Sequence, residues 1–155
     1  MSTTPLRERY ARPDWVKRIN AMGESVLGAE RLVPLDADAL VEAARAATGL
    51  DDFGDVDGDW RARLGALVEA LEDTARLHTL GRLMTRQEIL RCLVARLLLA
   101  KRRADEPAVA RERIAAPIVI AGPARSGTSI LQELLWLDPN ARCPLARESL
   151  HPVPP

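Results

Sequence analysis

The sequence predicts an α/β chain in which a mostly helical lead-in is followed by one strand, a phosphate-binding loop and a helix. Three observations predict it. Ile118-Val119-Ile120-Ala121 is a short apolar run rich in β-branched residues between Pro117 and Gly122, the signature of a strand buried in a parallel sheet. Gly122 and Gly127 are spaced as Gly-x-x-x-x-Gly and precede the hydroxyl residues Thr128 and Ser129, the frame of a loop that wraps a phosphate. Upstream, apolar residues recur at helical spacing through much of the chain.

Four segments follow in order. Residues 1–34 form a loose polar start with one helix, in which Trp15, Val16, Ile19 and Met22 share a face and which ends near Gly28. Residues 35–104 are a helical lead-in. Asp36 caps its first helix, Leu40, Val41 and Ala44 give that helix an apolar face, and Gly49 stops it. The acidic stretch 51–59 lacks the glycine and glutamate positions of a calcium loop and is read as a solvated turn whose Asp59 caps the next helix. That helix is expected from Trp60 to Leu80, with Leu64, Leu67, Val68 and Leu71 in one stripe. His78 continues the stripe and is read as a helix-end residue rather than a ligand or base. Thr85-Arg86-Gln87-Glu88 is a capping box that opens the most apolar helix, lined by Leu90, Leu93, Val94, Leu97 and Leu98 and packed on its predecessor as a hairpin. Residues 105–116 are a linker with a short helix, and residues 117–155 begin the nucleotide-binding core. Its loop is followed by a helix faced by Ile130, Leu131, Leu134 and Leu135, which Pro139 stops at Asp138.

Composition narrows the function classes. Acidic and basic residues number 22 each, so no general attraction to nucleic acid or to a membrane surface is expected, and a cationic site must be local. No apolar run reaches the roughly 18 residues that a membrane span needs. Cys92 and Cys143 match no metal or redox spacing, which fits two free thiols in the cytoplasm. No metal-ligand set is visible, and no metal is expected.

The loop departs from the nucleotide triphosphatase pattern at one place. Thr128 stands where a lysine would reach the outer phosphates, and the cation sits inside the loop as Arg125. Glycines that permit a tight turn, the positive end of a helix, two hydroxyls and a guanidinium together make an anion cradle.

Arg125-Ser126-Gly127-Thr128-Ser129 resembles the 5′-phosphosulfate loop of the sulfotransferases that use 3′-phosphoadenosine 5′-phosphosulfate, which reads G-x-P-[RK]-[ST]-G-[ST]-[ST] after a strand. The departure is Pro123-Ala124, where the family usually has its proline directly before the cation. The resemblance continues to Arg147-Glu148-Ser149-Leu150-His151-Pro152-Val153-Pro154-Pro155, where bacterial members often have Trp-Glu-Leu-Leu-x-Pro-x-Pro-Pro, and Thr48 to Gly54 is similar to their lead-in. It implies the P-loop-type sulfotransferase fold, with Gly122, Ala124, Arg125, Ser126, Gly127, Thr128 and Ser129 binding the donor. Arg125 would neutralise the leaving oxygen and Glu148 would act as general base, with His151 a second candidate. The acceptor would be a small-molecule, lipid or carbohydrate hydroxyl or amine.

A single strand of this quality leaves its sheet unfinished. The chain is therefore expected to be the N-terminal piece of a longer protein or a truncated frame, weak or inactive alone. Two other readings stay open, a P-loop kinase or nucleotide hydrolase and a non-catalytic helical interaction module.

Overall fold

The computed structural model describes residues 10–54 and 58–153. Seven α-helices lie among the described residues: α1 (Asp14–Val26), α2 (Ala29–Leu32), α3 (Ala37–Thr48), α4 (Trp60–Asp73), α5 (Thr79–Asp105), α6 (Thr128–Leu135) and α7 (Ala146–Leu150), with a 3-10 turn at Val109–Arg111. The chain divides into two compact units, residues 1–97 and 98–155.

In the first unit the local signals act as expected at α3. The Asp36 carboxylate accepts the Ala39 N–H at 2.7 Å, and Gly49 leaves the helix at φ 68°. The core is aliphatic. Leu35, Leu40, Val41, Ala44, Phe53, Leu64, Val68, Ile89, Leu93 and Leu97 form one buried cluster, so the apolar faces of α3, α4 and α5 meet, although Leu67, expected in the stripe of α4, is exposed.

The boundaries of α4 and α5 differ from expectation. The helix starting at Trp60 stops at Asp73, and α5 begins at Thr79 rather than at the Thr85–Glu88 box, which lies inside it. Two local events explain the break. The Thr74 hydroxyl donates to the Ala70 carbonyl at 2.6 Å, and Arg76 takes φ 46°, which no helix accommodates. The start of α5 is capped from a distance, since Asn20 of α1 accepts the Leu80 N–H at 3.0 Å, so no local box is needed. His78 therefore precedes a helix instead of ending one, and its carbonyl accepts the Arg82 N–H at 2.9 Å. Asp59 occupies the cap position of α4 without a cap bond, its carboxylate pairing with Arg63 at 2.7 Å. The acidic turn itself includes residues 55–57, which fall outside the described residues.

Two arginines tie the unit together. Arg82 is only 2% exposed. Its guanidinium donates to both oxygens of Glu72 and, through Nε, to the Val33 carbonyl at 2.7 Å. Arg96 lies 5.2 Å over the Trp60 ring and donates to the carbonyls of Phe53 and Gly54. Phe53, Gly54 and the start of α4 are thereby held by charge and aromatic contact together.

The second unit corrects the predicted fold class. Residues 117–123 form no strand, and no strand exists among the described residues. A strand is a property of a pair, because its N–H and C=O groups need a ladder on an adjacent segment. No such neighbour occurs among the described residues, and Ile118 and Val119 stand 72% and 83% exposed. The α/β reading is thus overturned, and the described chain is helical with irregular connections. The linker's short helix is present as the turn Val109–Arg111, and α6 ends at Leu135, one turn before Pro139.

Candidate anion-binding loop

The loop is built from one turn and one helix start. The Ser126 N–H donates to the Pro123 carbonyl at 3.2 Å, which closes the β-turn Pro123-Ala124-Arg125-Ser126. Pro123 supplies the turn's first carbonyl, and this accommodates its displacement from the usual place beside the cation. Arg125, the third residue, has φ 67°. That position and sign favour glycine or asparagine, so a cation with a Cβ there is held against its backbone preference, at a cost on the order of 1 kcal/mol.

Gly127 follows at φ 90° and is the N-cap of α6, with no side chain capping the helix. The first helical bond runs from the Leu131 N–H to the Gly127 carbonyl at 3.1 Å. The amides of Thr128, Ser129 and Ile130 precede it and belong to the set that a helix leaves open at its start, where the dipole favours an anion. Among the described residues the side chains of Arg125, Thr128 and Ser129 have no hydrogen-bond or ion-pair partner. Thr128 is half-buried, while Arg125 and Ser129 are exposed.

Gly122 closes the other side. A Cβ placed on it would stand 2.6 Å from Ser126 Oγ and 3.1 Å from Thr128 Cγ2. The spacing of the two glycines announced a tight loop, but this fold-back of Ser126 and Thr128 onto Gly122 left no trace in the spacing.

Glu148 sits in the first turn of α7. One carboxylate oxygen accepts the Leu145 N–H at 2.9 Å and the other accepts from Arg142 at 2.8 Å. The Leu145 amide, opposed by desolvation and helped by the charges of Arg142 and Arg147, holds its carboxyl below the usual carboxylate range. No hydrogen bond or ion pair joins Glu148 to Arg125. His151 follows α7, donating its backbone N–H to the Arg147 carbonyl at 2.8 Å, and is exposed. Cys143 contacts the Gln132 carbonyl of α6 through sulfur at 3.9 Å. The loop residues are thus contiguous, whereas the two candidates for proton transfer lie in a separate segment of the same unit. No group of His, Cys, Asp and Glu suited to a metal occurs among the described residues, and no described helix is long and apolar enough to cross a membrane.

No protein-family model and no curated protein matches the sequence. A solved structure does. The crystal structure of sulfotransferase STF1 from Mycobacterium tuberculosis H37Rv is similar at 35% identity and a TM-score of 0.71, over 77% of this chain and 33% of its own. The chain therefore spans about a third of the length of the structure it matches.

Proposed function

Since this chain belongs to a sulfotransferase family, we propose that residues 122–129 hold the 5′-phosphosulfate end of 3′-phosphoadenosine 5′-phosphosulfate. The sulfuryl group would pass to a hydroxyl or amine of a small-molecule, lipid or carbohydrate acceptor. The observation that supports this reading most is an arginine kept at positive φ in a turn that opens directly onto an uncapped helix start. Such strain persists at sites where a side chain is needed in one place.

In the proposed reaction the acceptor oxygen or nitrogen bonds to sulfur as the bridging S–O bond breaks. The leaving oxygen stays on the 5′-phosphate of adenosine 3′,5′-bisphosphate, and the acceptor's proton goes to a base. The amides that open α6, with the Thr128 and Ser129 hydroxyls, hold the 5′-phosphate. Arg125 neutralises the charge that develops on the leaving oxygen, a contribution that grows along the reaction and therefore accelerates it. Glu148 is the proposed base. It is ionised at neutral pH, as a base must be, and each of its oxygens, which accepts one hydrogen bond, keeps a second lone pair that can take a proton. The two thiols, Cys92 and Cys143, are unpaired, which supports a reducing compartment such as the cytoplasm.

Thermal unfolding with and without nucleotide tests this reading. Stabilisation by adenosine 3′,5′-bisphosphate in the absence of magnesium is expected. Stabilisation only by magnesium with ATP would instead make the loop that of a nucleotide hydrolase or kinase.

A further inference from the structure

We infer that Arg142 is a positioning residue for Glu148: from the segment before α7 it fixes the carboxylate that the proposed transfer uses as its base. The inference rests on the assignment of Glu148 as base above. Leu145, the N-cap of α7, has an apolar side chain, so the first turn is closed from the other direction. Glu148 reaches back and accepts the Leu145 N–H at 2.9 Å. With that bond alone the carboxylate could turn about a single anchor. Arg142 removes this freedom, its Nη2 donating to the other oxygen at 2.8 Å. One donor on each oxygen sets the carboxylate between the main chain of α7 and the segment before it, and a lone pair on each oxygen remains for a proton.

The pair does little for folding. The side chains of Arg142 and Glu148 are 74% and 34% exposed, and an ion pair so open to solvent contributes little to stability. Its consequence falls on Glu148 itself. After the Leu145 amide, the groups that favour the ionised carboxylate are Arg142 and, within α7, Arg147, and of these two Arg142 acts through a hydrogen bond as well as through its charge. No hydrogen bond or ion pair joins His151 to Glu148 among the described residues. Loss of Arg142 therefore frees the carboxylate to turn about the Leu145 bond and lets its proton affinity rise toward the ordinary range.

Two measurements on the full chain test this role. The first follows the Glu148 carboxyl carbon by NMR through an acid titration, with 13C-labelled glutamate and the resonance assigned by its absence from Glu148→Gln. In Arg142→Ala the midpoint is expected to move to higher pH, and in Arg142→Lys, which keeps a charged donor, to return most of the way, while unfolding in denaturant at neutral pH stays the same. The second follows release of radiolabelled sulfate from 3′-phosphoadenosine 5′-phosphosulfate in a single turnover with protein in excess. Water is then the acceptor: its oxygen bonds to sulfur as the bridging S–O bond breaks, and its proton passes to Glu148. Arg142→Ala should slow release about tenfold at neutral pH, with the acid limb of the pH profile displaced upward and donor affinity unchanged, whereas Glu148→Gln should slow it by about a hundredfold or more. An unmoved midpoint, an unmoved acid limb, or a lysine variant no better than the alanine one overturns the positioning role. Full release by Glu148→Gln, or none by the wild type, would instead remove the base reading, and this inference with it.

Discussion

Arg125 carries two opposed contributions that a pair of substitutions separates. Its backbone sits where glycine is favoured, so Arg125→Gly removes local strain and should raise stability slightly, by up to about 1 kcal/mol. Its guanidinium is the loop's cation, so both Arg125→Gly and Arg125→Ala should weaken nucleotide binding by about 10- to 100-fold, the worth of a lost charge-assisted contact. Chemical denaturation alongside titration checks both arms, and a glycine variant that is less stable than the alanine variant would contradict the strain. At Glu148 the informative substitution is Gln, which can still accept the Leu145 amide but cannot take a proton. Loss of transfer in Glu148→Gln with α7 intact supports the base, and full transfer excludes it. The sequence made the residue types of this site legible, because glycine spacing, the displaced cation and the hydroxyls are chemical facts of order along the chain. It did not show the turn that Ser126 closes onto Pro123, nor that Arg142, six residues away, would occupy one oxygen of Glu148.

Among the elements, the contact of α1 with the start of α5 depends on an absent side chain. A Cβ on Gly23 would collide with the Thr79 side chain, and Thr79 is 2% exposed, so Thr79 cannot swing into solvent. Alanine within a helix usually gains up to about 1 kcal/mol over glycine. Here the clash outweighs the gain, and Gly23→Ala should lower stability by roughly 1–3 kcal/mol in denaturant unfolding. The Arg82–Glu72 pair makes a second prediction. Hydrogen bonds from Arg82, opposed by burial and assisted by the Leu35 amide, lower the carboxyl of Glu72 below its ordinary value. A group whose folded value is depressed contributes stability fully above its unfolded value, and the contribution disappears as pH falls through the folded one. The wild type should therefore lose stability below about pH 4.5 more steeply than Glu72→Gln, measured by unfolding at stepped pH. At neutral pH that substitution leaves the nearly inaccessible Arg82 charge without its counter-ion and should cost about 2–3 kcal/mol, less than for a fully buried pair because Glu72 is itself about a third exposed. Helical periodicity found the stripes of α3, α4 and α5. It misplaced the α4–α5 break because the decisive groups, the Thr74 back-bond, the Arg76 conformation and the remote Asn20 cap, have no periodic signal.

For the whole chain, residues 1–97 contain a continuous core, whereas residues 98–155 expose most of their large apolar groups, Ile114, Ile118, Val119, Ile130 and Leu137 among them. A chain ended after Asp105 should retain a cooperative helical unfolding transition, and a gradual, non-cooperative loss of ellipticity would contradict an autonomous helical unit. The strand predicted at Ile118–Ala121 failed for a reason of the same scale. Composition can mark a segment as suited to a sheet, but pairing requires a second segment, and burial requires a cover. The amide spectrum of the uniformly 15N-labelled chain, titrated with adenosine 3′,5′-bisphosphate in the absence of magnesium, tests the anion cradle most directly. The largest saturable shifts are predicted at the amides of Gly127, Thr128, Ser129 and Ile130 and at the side-chain Nε of Arg125. Saturable binding whose shifts avoid these groups, or no binding at all, would contradict it.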